Sequence, residues 1–393
     1  MKRLVILGST GSVGENTLRL VDGQRTRFKV VGLAAHRNAE RLLEQARSFD
    51  VPVVALGDAS AAERVRSAPP SPSRAGAPRI LAGPDAALEL LGAVDFDLAV
   101  HAITGAAGLP ASHECLRLGK PLALANKESL VIAGELLCEL SRSKGAPILP
   151  VDSEHSAVYQ CVRHEPRSPI RKIYLTASGG PFRDRPLDTF DTITKDEALR
   201  HPNWSMGERI TIGSATMMNK AFEIVEAHHL FGLRADQISV LIHRQSIVHS
   251  MVVFEDASML AQLGIPDMRV PIQVALHHPE RGRFDLEPFD PARFANLTFT
   301  EPEAGRYPAL ALGARCLELG GTAGAILNAA DEIATQRFLA GEIAFPEIAR
   351  LCSEALDAVA IAPAARLDAI WGADARARAF AQSWRSLLVA TGR

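Results

Sequence analysis

LVILGSTGSVG, residues 4–14, opens with an apolar strand candidate, Leu4–Leu7, turns on Gly8-Ser9-Thr10-Gly11-Ser12-Val13-Gly14, and continues into a helical stretch, Glu15–Val21. The G-x-x-G-x-x-G spacing permits a tight turn and lets backbone N–H groups approach a pyrophosphate, whose charge a helix start stabilises. Alone the motif is weak, because glycine turns also serve ordinary strand-to-helix packing. Its place between a strand and a helix favours a dinucleotide. Further strand candidates follow at Val30–Ala34, Val53–Leu56, Leu98–Ile103, Leu122–Ala125 and Ile148–Val151, with amphipathic stretches such as Ala39–Phe49 and Glu128–Ser143 between them. Alternating βα units predict a parallel sheet covered by helices on both faces, a Rossmann-like arrangement. The proline-rich SAPPSPSRAGAPR (67–79) reads as a surface excursion, since the alternation resumes after it.

The end of the second strand bears on the choice of cofactor. An NAD site places an acid there for the ribose 2′-hydroxyl. Here Val30–Ala34 ends in Ala35-His36-Arg37-Asn38, with no acid. A cation and an amide donor suit a 2′-phosphate, so NADPH is favoured. The plainer alternative is that Arg37 is solvated and Asn38 caps a helix starting near Ala39. Asn38 is able to do both.

After residue 150 the pattern changes. Arg171–Thr176, Ile238–Ile242, Ile247–Phe254 and Met259–Leu263 are strand-like, and Glu255-Asp256-Ala257 is short enough to join the last two as a hairpin. Residues 280–308 are rich in Pro, Arg and Asp and read as a linker, and the Ala- and Leu-rich remainder has helical spacing. The expected fold class is α/β, with an N-terminal Rossmann-like parallel sheet, a central α+β catalytic domain and a C-terminal helical bundle. The expected divisions are 1–150 for NADPH, 151–285 for metal and substrate with a lid loop, a linker at 286–308, and helices from 309 to 393.

The strand Pro147–Val151 delivers Asp152-Ser153-Glu154-His155. In extended backbone, residues two apart share a face, so Asp152 and Glu154 converge while His155 turns away. Paired carboxylates suit a hard cation such as Mg²⁺ or Mn²⁺, although a lone D-x-E also fits a solvated loop with a helix cap at Ser153. A third carboxylate comes from SATMMNKAFE (214–223). With Ser214 as N-cap of a helix to about Leu230, Asn219, Lys220 and Glu223 share one face. Upstream, Ser178 lies on the glycine turn 177–182, a shape that approaches phosphate. Trp204 lies in the loop HPNWSMG (201–207), written like a lid or equally like a loop anchored by its aromatic ring.

The 393 residues suggest two or three domains, and a formal charge of −2 argues against a nucleic-acid binder. No apolar run reaches membrane-span length, and MKRLVILGSTG lacks the form of a secretory signal. The expectation is a complete cytoplasmic protein without membrane association. Cys115, Cys138, Cys161, Cys316 and Cys352 are scattered and include no CxxC pair, so neither a disulfide framework nor a zinc knuckle is indicated.

LGSTGSVG (7–14), ALANKESLV (123–131), PVDSEHSA (150–157), TASGGPF (176–182), HPNWSMG (201–207) and SATMMNKAFEIVEAHHLF (214–231), followed by RQSIVHSMV (244–252), GIPDMRVPI (264–272) and GAILNAADEIATQRFLAGEIAF (324–345), run in order along the chain. Together they resemble the 1-deoxy-D-xylulose 5-phosphate reductoisomerases, NADPH- and metal-dependent enzymes of the non-mevalonate isoprenoid pathway. The resemblance implies that the turn opened by Gly8 holds the NADPH pyrophosphate through Thr10, Gly11, Ser12 and Val13. Arg37 and Asn38 would lie near the 2′-phosphate, and Asn126, Glu128, Gly207 and Met268 would contact the cofactor. Asp152, Glu154 and Glu223 would bind Mg²⁺ or Mn²⁺. Lys127, Ser153, Glu154, Ser178, Ser214, Asn219, Lys220 and Glu223 would meet a small phosphorylated sugar. His201, Trp204 and Met206 would belong to a mobile lid; His201 and Trp204 would touch substrate, and His201 joins Lys127 and the carboxylates as catalytic. A homodimer is also implied. His36-Arg37 departs from the Gly-Lys of many members, and the insertion at 67–79 is atypical. Two rival readings are an aspartate-semialdehyde dehydrogenase-like enzyme, with Cys161 and His164 as nucleophile and base, and a non-catalytic NADP-binding regulator.

Overall fold

Seven short apolar strands pair in parallel near the N-terminus: β1 (Lys2–Leu7), β2 (Phe28–Ala35), β3 (Val53–Leu56), β4 (Arg79–Ala82), β5 (Leu98–His101), β6 (Leu122–Leu124) and β7 (Ile148–Pro150). The computed structural model describes residues 1–66, 78–165, 169–200, 207–283 and 290–387. The chain divides into two units. One comprises Met1–Asn126, Leu137–Asp152 and Met268–Asp285, and the other Lys127–Leu136, Ser153–Asp267 and Leu286–Arg393.

In the first unit the strand order is β4-β3-β2-β1-β5-β6-β7. Leu4, Val5, Ile6, Leu7, Val54, Ala99, Val100 and Leu122 are almost wholly buried, as strands covered on both faces require. The direction of winding reverses between β1 and β5, and ligands of open α/β sheets gather at the carboxyl ends of strands at such a point. β4 goes beyond the strands expected from the sequence. It is a four-residue edge strand with one buried residue, too short and too exposed to show a pattern. The helix Arg269–His277 also belongs to this unit rather than to the central region assigned from sequence. His277 meets the Phe28 ring edge-on at 5.1 Å, and Lys2 Nζ donates to the Leu276 carbonyl at 2.8 Å.

The second unit holds β8 (Ile170–Ala177), β9 (Ile238–Ile242), β10 (Val248–Phe254) and β11 (Met259–Leu263), in the order β11-β10-β8-β9. β8 and β9 are parallel, and β10 is antiparallel to β8 and β11, so the predicted hairpin is present. Alternate residues Ile173, Leu175, Val252 and Phe254 point to one face and pack with Val158, Ile224 and Ala227 from the helices Ser153–Val162 and Met218–Phe231. The four long C-terminal helices are Ala309–Leu319, Ala323–Leu339, Glu347–Ala358 and Leu367–Ser383. At Gly324 a Cβ would stand 1.8 Å from the Val131 carbonyl, so only glycine permits this approach to the helix Lys127–Lys144. That helix leaves helical geometry at Ala133 (φ −141°, ψ 31°). The described part of the expected linker packs onto the second unit: Thr300 bridges Ile242, and the Tyr307 hydroxyl donates to the Gly179 carbonyl at 2.9 Å.

Candidate active site

Glu223 is the centre of a buried polar cluster in the second unit. Its carboxylate accepts from Asn219 Nδ2 at 2.6 Å, from Lys127 Nζ at 3.2 Å and from Lys220 Nζ. Lys220 Nζ also donates to the Thr176 carbonyl at the end of β8 at 2.6 Å and lies 3.4 Å from Glu154. Ser153 Oγ donates to Glu154 at 2.7 Å. Glu154 and Glu223 offer carboxylate oxygens within 4.8 Å of each other. Asp152 ends the first unit and is bonded directly to Ser153, so chain connectivity keeps it two residues from Glu154. Hard carboxylate oxygens are the donor set that Mg²⁺ or Mn²⁺ prefers.

Two local features differ from the sequence-based expectation. The helix Ser153–Val162 begins directly after Asp152, so Glu154 reaches the cluster from a first helical turn rather than from extended backbone. The extended backbone on which the turning away of His155 was expected is absent; His155 is buried in the helix, where its Nε2 meets the Glu223 carbonyl at 2.9 Å and its Nδ1 lies 3.3 Å from the buried Glu226. Ser214 is not an N-cap. It lies near the end of the helix Glu208–Thr216, which Met217 terminates in the left-handed region (φ 62°, ψ 15°). The N-cap of the next helix is Met217, which supplies no side-chain cap, while Thr216 Oγ1 accepts from Met218 N at 3.2 Å. The break places Ser214 on one helix and Asn219, Lys220 and Glu223 on the next. The Ser178 turn meets the first of these: a Cβ on Gly180 would stand 2.9 Å from the Ser214 carbonyl. Gly207 is the N-cap of that same helix.

In the first unit, the glycine turn sits where the winding reverses. Gly8 has φ +83°, and a Cβ there would lie 2.6 Å from the Ala102 carbonyl just beyond β5; at Gly14 a Cβ would meet the Ser9 backbone at 2.4 Å. Gly11 precedes the helix Ser12–Asp22 and supplies no side-chain cap, which leaves the leading N–H groups around Ser12 and Val13, next to Thr10, without that partner. Beside them the Ser9 hydroxyl is buried without a hydrogen-bond partner. This cradle fits an anionic pyrophosphate. Asn126, at the end of β6, donates from Nδ2 to the Ile103 and Gly105 carbonyls at 2.7 and 3.0 Å. Asn38 does cap the helix Ala39–Ser48, accepting from Arg41 N at 3.2 Å, while the exposed Arg37 pairs with Asp58 at 3.3 Å. Met268 immediately precedes the helix Arg269–His277. His201, Trp204 and Met206 lie outside the described residues. Cys161 packs against the apolar cluster beneath the second sheet, a setting unlike that of a nucleophile.

Glu128 also faces a partner that sequence reading missed. Arg209 lies 3.1 Å from it and reaches Glu332 at 2.8 Å and Asp331 at 3.7 Å. The only sequence signal for Arg209 is a cation two residues after the Gly207 motif. Burial pushes the Asp331 carboxyl up to about 6, against the downward pull of Arg209. Glu332 and Glu128 also raise it, and Cys352 lies within its electrostatic reach. A raised carboxyl contributes stability below its unfolded value, and that contribution is lost as pH rises through the folded value. Between pH 4 and 7 the stability difference between Asp331→Asn and the unaltered chain should therefore move in favour of the variant by up to about 3 kcal/mol. Parallel urea-denaturation curves across that range would refute the shift.

A family model for 1-deoxy-D-xylulose 5-phosphate reductoisomerase matches residues 4–134, and two models of C-terminal domains of the same enzyme match 148–231 and 263–380. The chain is 49% identical over 364 residues to the 1-deoxy-D-xylulose 5-phosphate reductoisomerase of Anaeromyxobacter sp. (strain K), covering 92% of each protein. It is 47% identical over 384 residues to that of Burkholderia multivorans, covering 97% of this chain and 96% of the relative. Among solved structures, the Zymomonas mobilis enzyme in complex with NADPH superposes with a TM-score of 0.89 at 38% identity, over 97% of this chain and 98% of the other. A DOX-P reductoisomerase in complex with NADPH, fosmidomycin and magnesium gives a TM-score of 0.90 at 37% identity, over 98% of both chains. The chain belongs to the 1-deoxy-D-xylulose 5-phosphate reductoisomerase family.

Proposed function

We propose that the chain converts 1-deoxy-D-xylulose 5-phosphate to 2-C-methyl-D-erythritol 4-phosphate with NADPH and Mg²⁺ or Mn²⁺, serving isoprenoid precursor synthesis. The observation that carries this reading is the convergence of Lys127, Asn219 and Lys220 on Glu223, with Glu154 alongside. Asp152, Glu154 and Glu223 hold the cation. Ser178, Ser214, Asn219 and Lys220 receive the substrate phosphate and nearby hydroxyls, with Ser153 and the lid residues His201 and Trp204 also on the substrate. The turn from Gly8 to Val13 holds the pyrophosphate of NADPH, Arg37 and Asn38 its 2′-phosphate, and Asn126, Glu128, Gly207 and Met268 the rest of the cofactor.

When bound, the cation supplies Lewis acidity to adjacent substrate oxygens and NADPH supplies hydride. The protein's own contribution is positional and electrostatic. Lys127 Nζ, fixed by Glu223, presents an ammonium to oxygens that gain charge as the carbon skeleton rearranges, and it is the group placed to hold or pass a proton there. Lys220 is anchored by the Thr176 carbonyl, so its charge stays in place for the phosphate without reorganisation.

A homodimer and a cytoplasmic setting belong to the same proposal. The dimer is supported by the edge strand β11, where Met259 is 54% exposed, Leu260 44% and Leu263 42%. The setting is supported by five cysteines that form no disulfide. Among the described residues no helix is long and apolar enough to cross a membrane.

NADPH oxidation followed at 340 nm should require both 1-deoxy-D-xylulose 5-phosphate and the divalent cation, stop on addition of a chelator, and resume with excess Mg²⁺ or Mn²⁺. Turnover that survives the chelator but not thiol alkylation would favour the cysteine-based alternative instead.

A further inference from the structure

Arg209 lies in the first turn of the helix Glu208–Thr216, two residues beyond Gly207. Its guanidinium is divided between two parts of the second unit. Nη1 faces Glu128 at 3.1 Å and Glu332 at 2.8 Å, while Nη2 donates to Asn328 Oδ1 at 2.9 Å and faces Asp331 at 3.7 Å. Glu332 is gripped in turn by Arg378, which is itself held by Asp374 at 2.7 Å. Asn328 lies one turn before the adjacent Asp331 and Glu332 on the helix Ala323–Leu339, whose backbone is seated against Val131 by the missing side chain of Gly324. The anchor is therefore rigid, and a planar fork with several simultaneous partners has one orientation available.

We propose that Arg209 is a positioning residue that fixes the Glu128 carboxylate for NADPH, and that the helix Ala323–Leu339 takes part in cofactor binding by holding Arg209. This rests on the reading of Glu128 as a cofactor contact. Glu128 is only 9% exposed. Without the guanidinium at 3.1 Å, such a carboxylate loses the contact that sets its direction and turns from the orientation Arg209 gives it. That displacement spoils a hydrogen bond that depends on direction. Arg209 thus links the backbone at Gly207 to the side chain of Glu128 and gives the C-terminal helices a part in cofactor affinity.

The test uses the full chain with NADPH titration, steady-state kinetics and thermal denaturation on Arg209→Met, Arg209→Lys, Asn328→Ala and Glu128→Gln. Arg209→Met should raise the KM for NADPH about tenfold or more, as loss of a charge-assisted contact does, with the KM for the sugar phosphate within about twofold of the unaltered value. Arg209→Lys should recover part of that loss, because it restores the charge without the fork. Asn328→Ala removes one anchor and no charge, and should raise the KM for NADPH by about threefold even if Arg209→Met fails to fold. If Arg209→Lys and Asn328→Ala lower the melting temperature while the KM for NADPH stays unchanged, Arg209 is merely a structural strut and the proposal falls. Glu128→Gln separates the two levels of the argument. An unchanged KM for NADPH in that variant overturns the assignment of Glu128 and the proposal with it. A raised KM in Glu128→Gln beside unchanged values in the Arg209 and Asn328 variants overturns the role of Arg209 alone.

Discussion

Glu223→Gln is expected to lower kcat by about 10³-fold, roughly 4 kcal/mol of barrier, while NADPH affinity stays within about twofold. Glutamine fills the same volume, so the change is one of charge. Glu223 is 1% exposed and is met by Lys127, Lys220 and Asn219. Removing its charge would take one carboxylate from the proposed cation site and leave the Lys220 ammonium, only 4% exposed, with less compensation. Cation affinity should fall together with kcat, which titration with Mn²⁺ measures. Near-normal turnover at ordinary Mg²⁺ would exclude Glu223 from the metal shell and remove the observation on which the functional reading depends.

Gly14→Ala is expected to act on the other half of the chemistry. The new methyl would meet the Ser9 backbone at 2.4 Å and the Gly8 carbonyl at 2.5 Å, and backbone atoms cannot rotate aside as a side chain does. The turn must open or the helix Ser12–Asp22 must move. Overpacking of this kind costs about 1–3 kcal/mol of stability. The same displacement moves the N–H groups that would face the pyrophosphate, so NADPH affinity should fall about tenfold or more. Fluorescence titration of NADPH, with circular dichroism to verify folding, reads both effects. A folded variant with unaltered affinity would remove this turn from the cofactor site.

The first sheet was legible because its strands are buried on both faces and leave apolar runs that glycine turns and amphipathic helices punctuate. β4 was not, since Arg-Ile-Leu-Ala at a sheet edge has neither length nor alternation. The grouping of Asn219, Lys220 and Glu223 followed from helical spacing alone. The turn that sets the direction of that helix did not, because nothing in Met217 announces a left-handed residue; it is imposed by tertiary packing around a side chain only 3% exposed. Contacts between residues distant in sequence, such as Lys127 with Glu223 or Arg209 with Glu128, leave no periodic trace. The resemblance to a family named Lys127 and Glu128, whereas Arg209 became visible only from the ion pairs.

The contact between Lys2 and the carbonyl of Leu276 spans 274 residues within the first unit. At about 5–20 residues per second, a ribosome needs on the order of 14–55 s to synthesise the chain between them. Strands β1 to β7 are complete by Pro150, well before the helix Arg269–His277 exists to cover Phe28. The nascent sheet therefore passes through a period with an apolar flank open to water, in which chaperones or neighbouring chains are its competing partners. Expression yield in the cell should thus depend more on shielding that flank during synthesis than on the final stability of the folded protein.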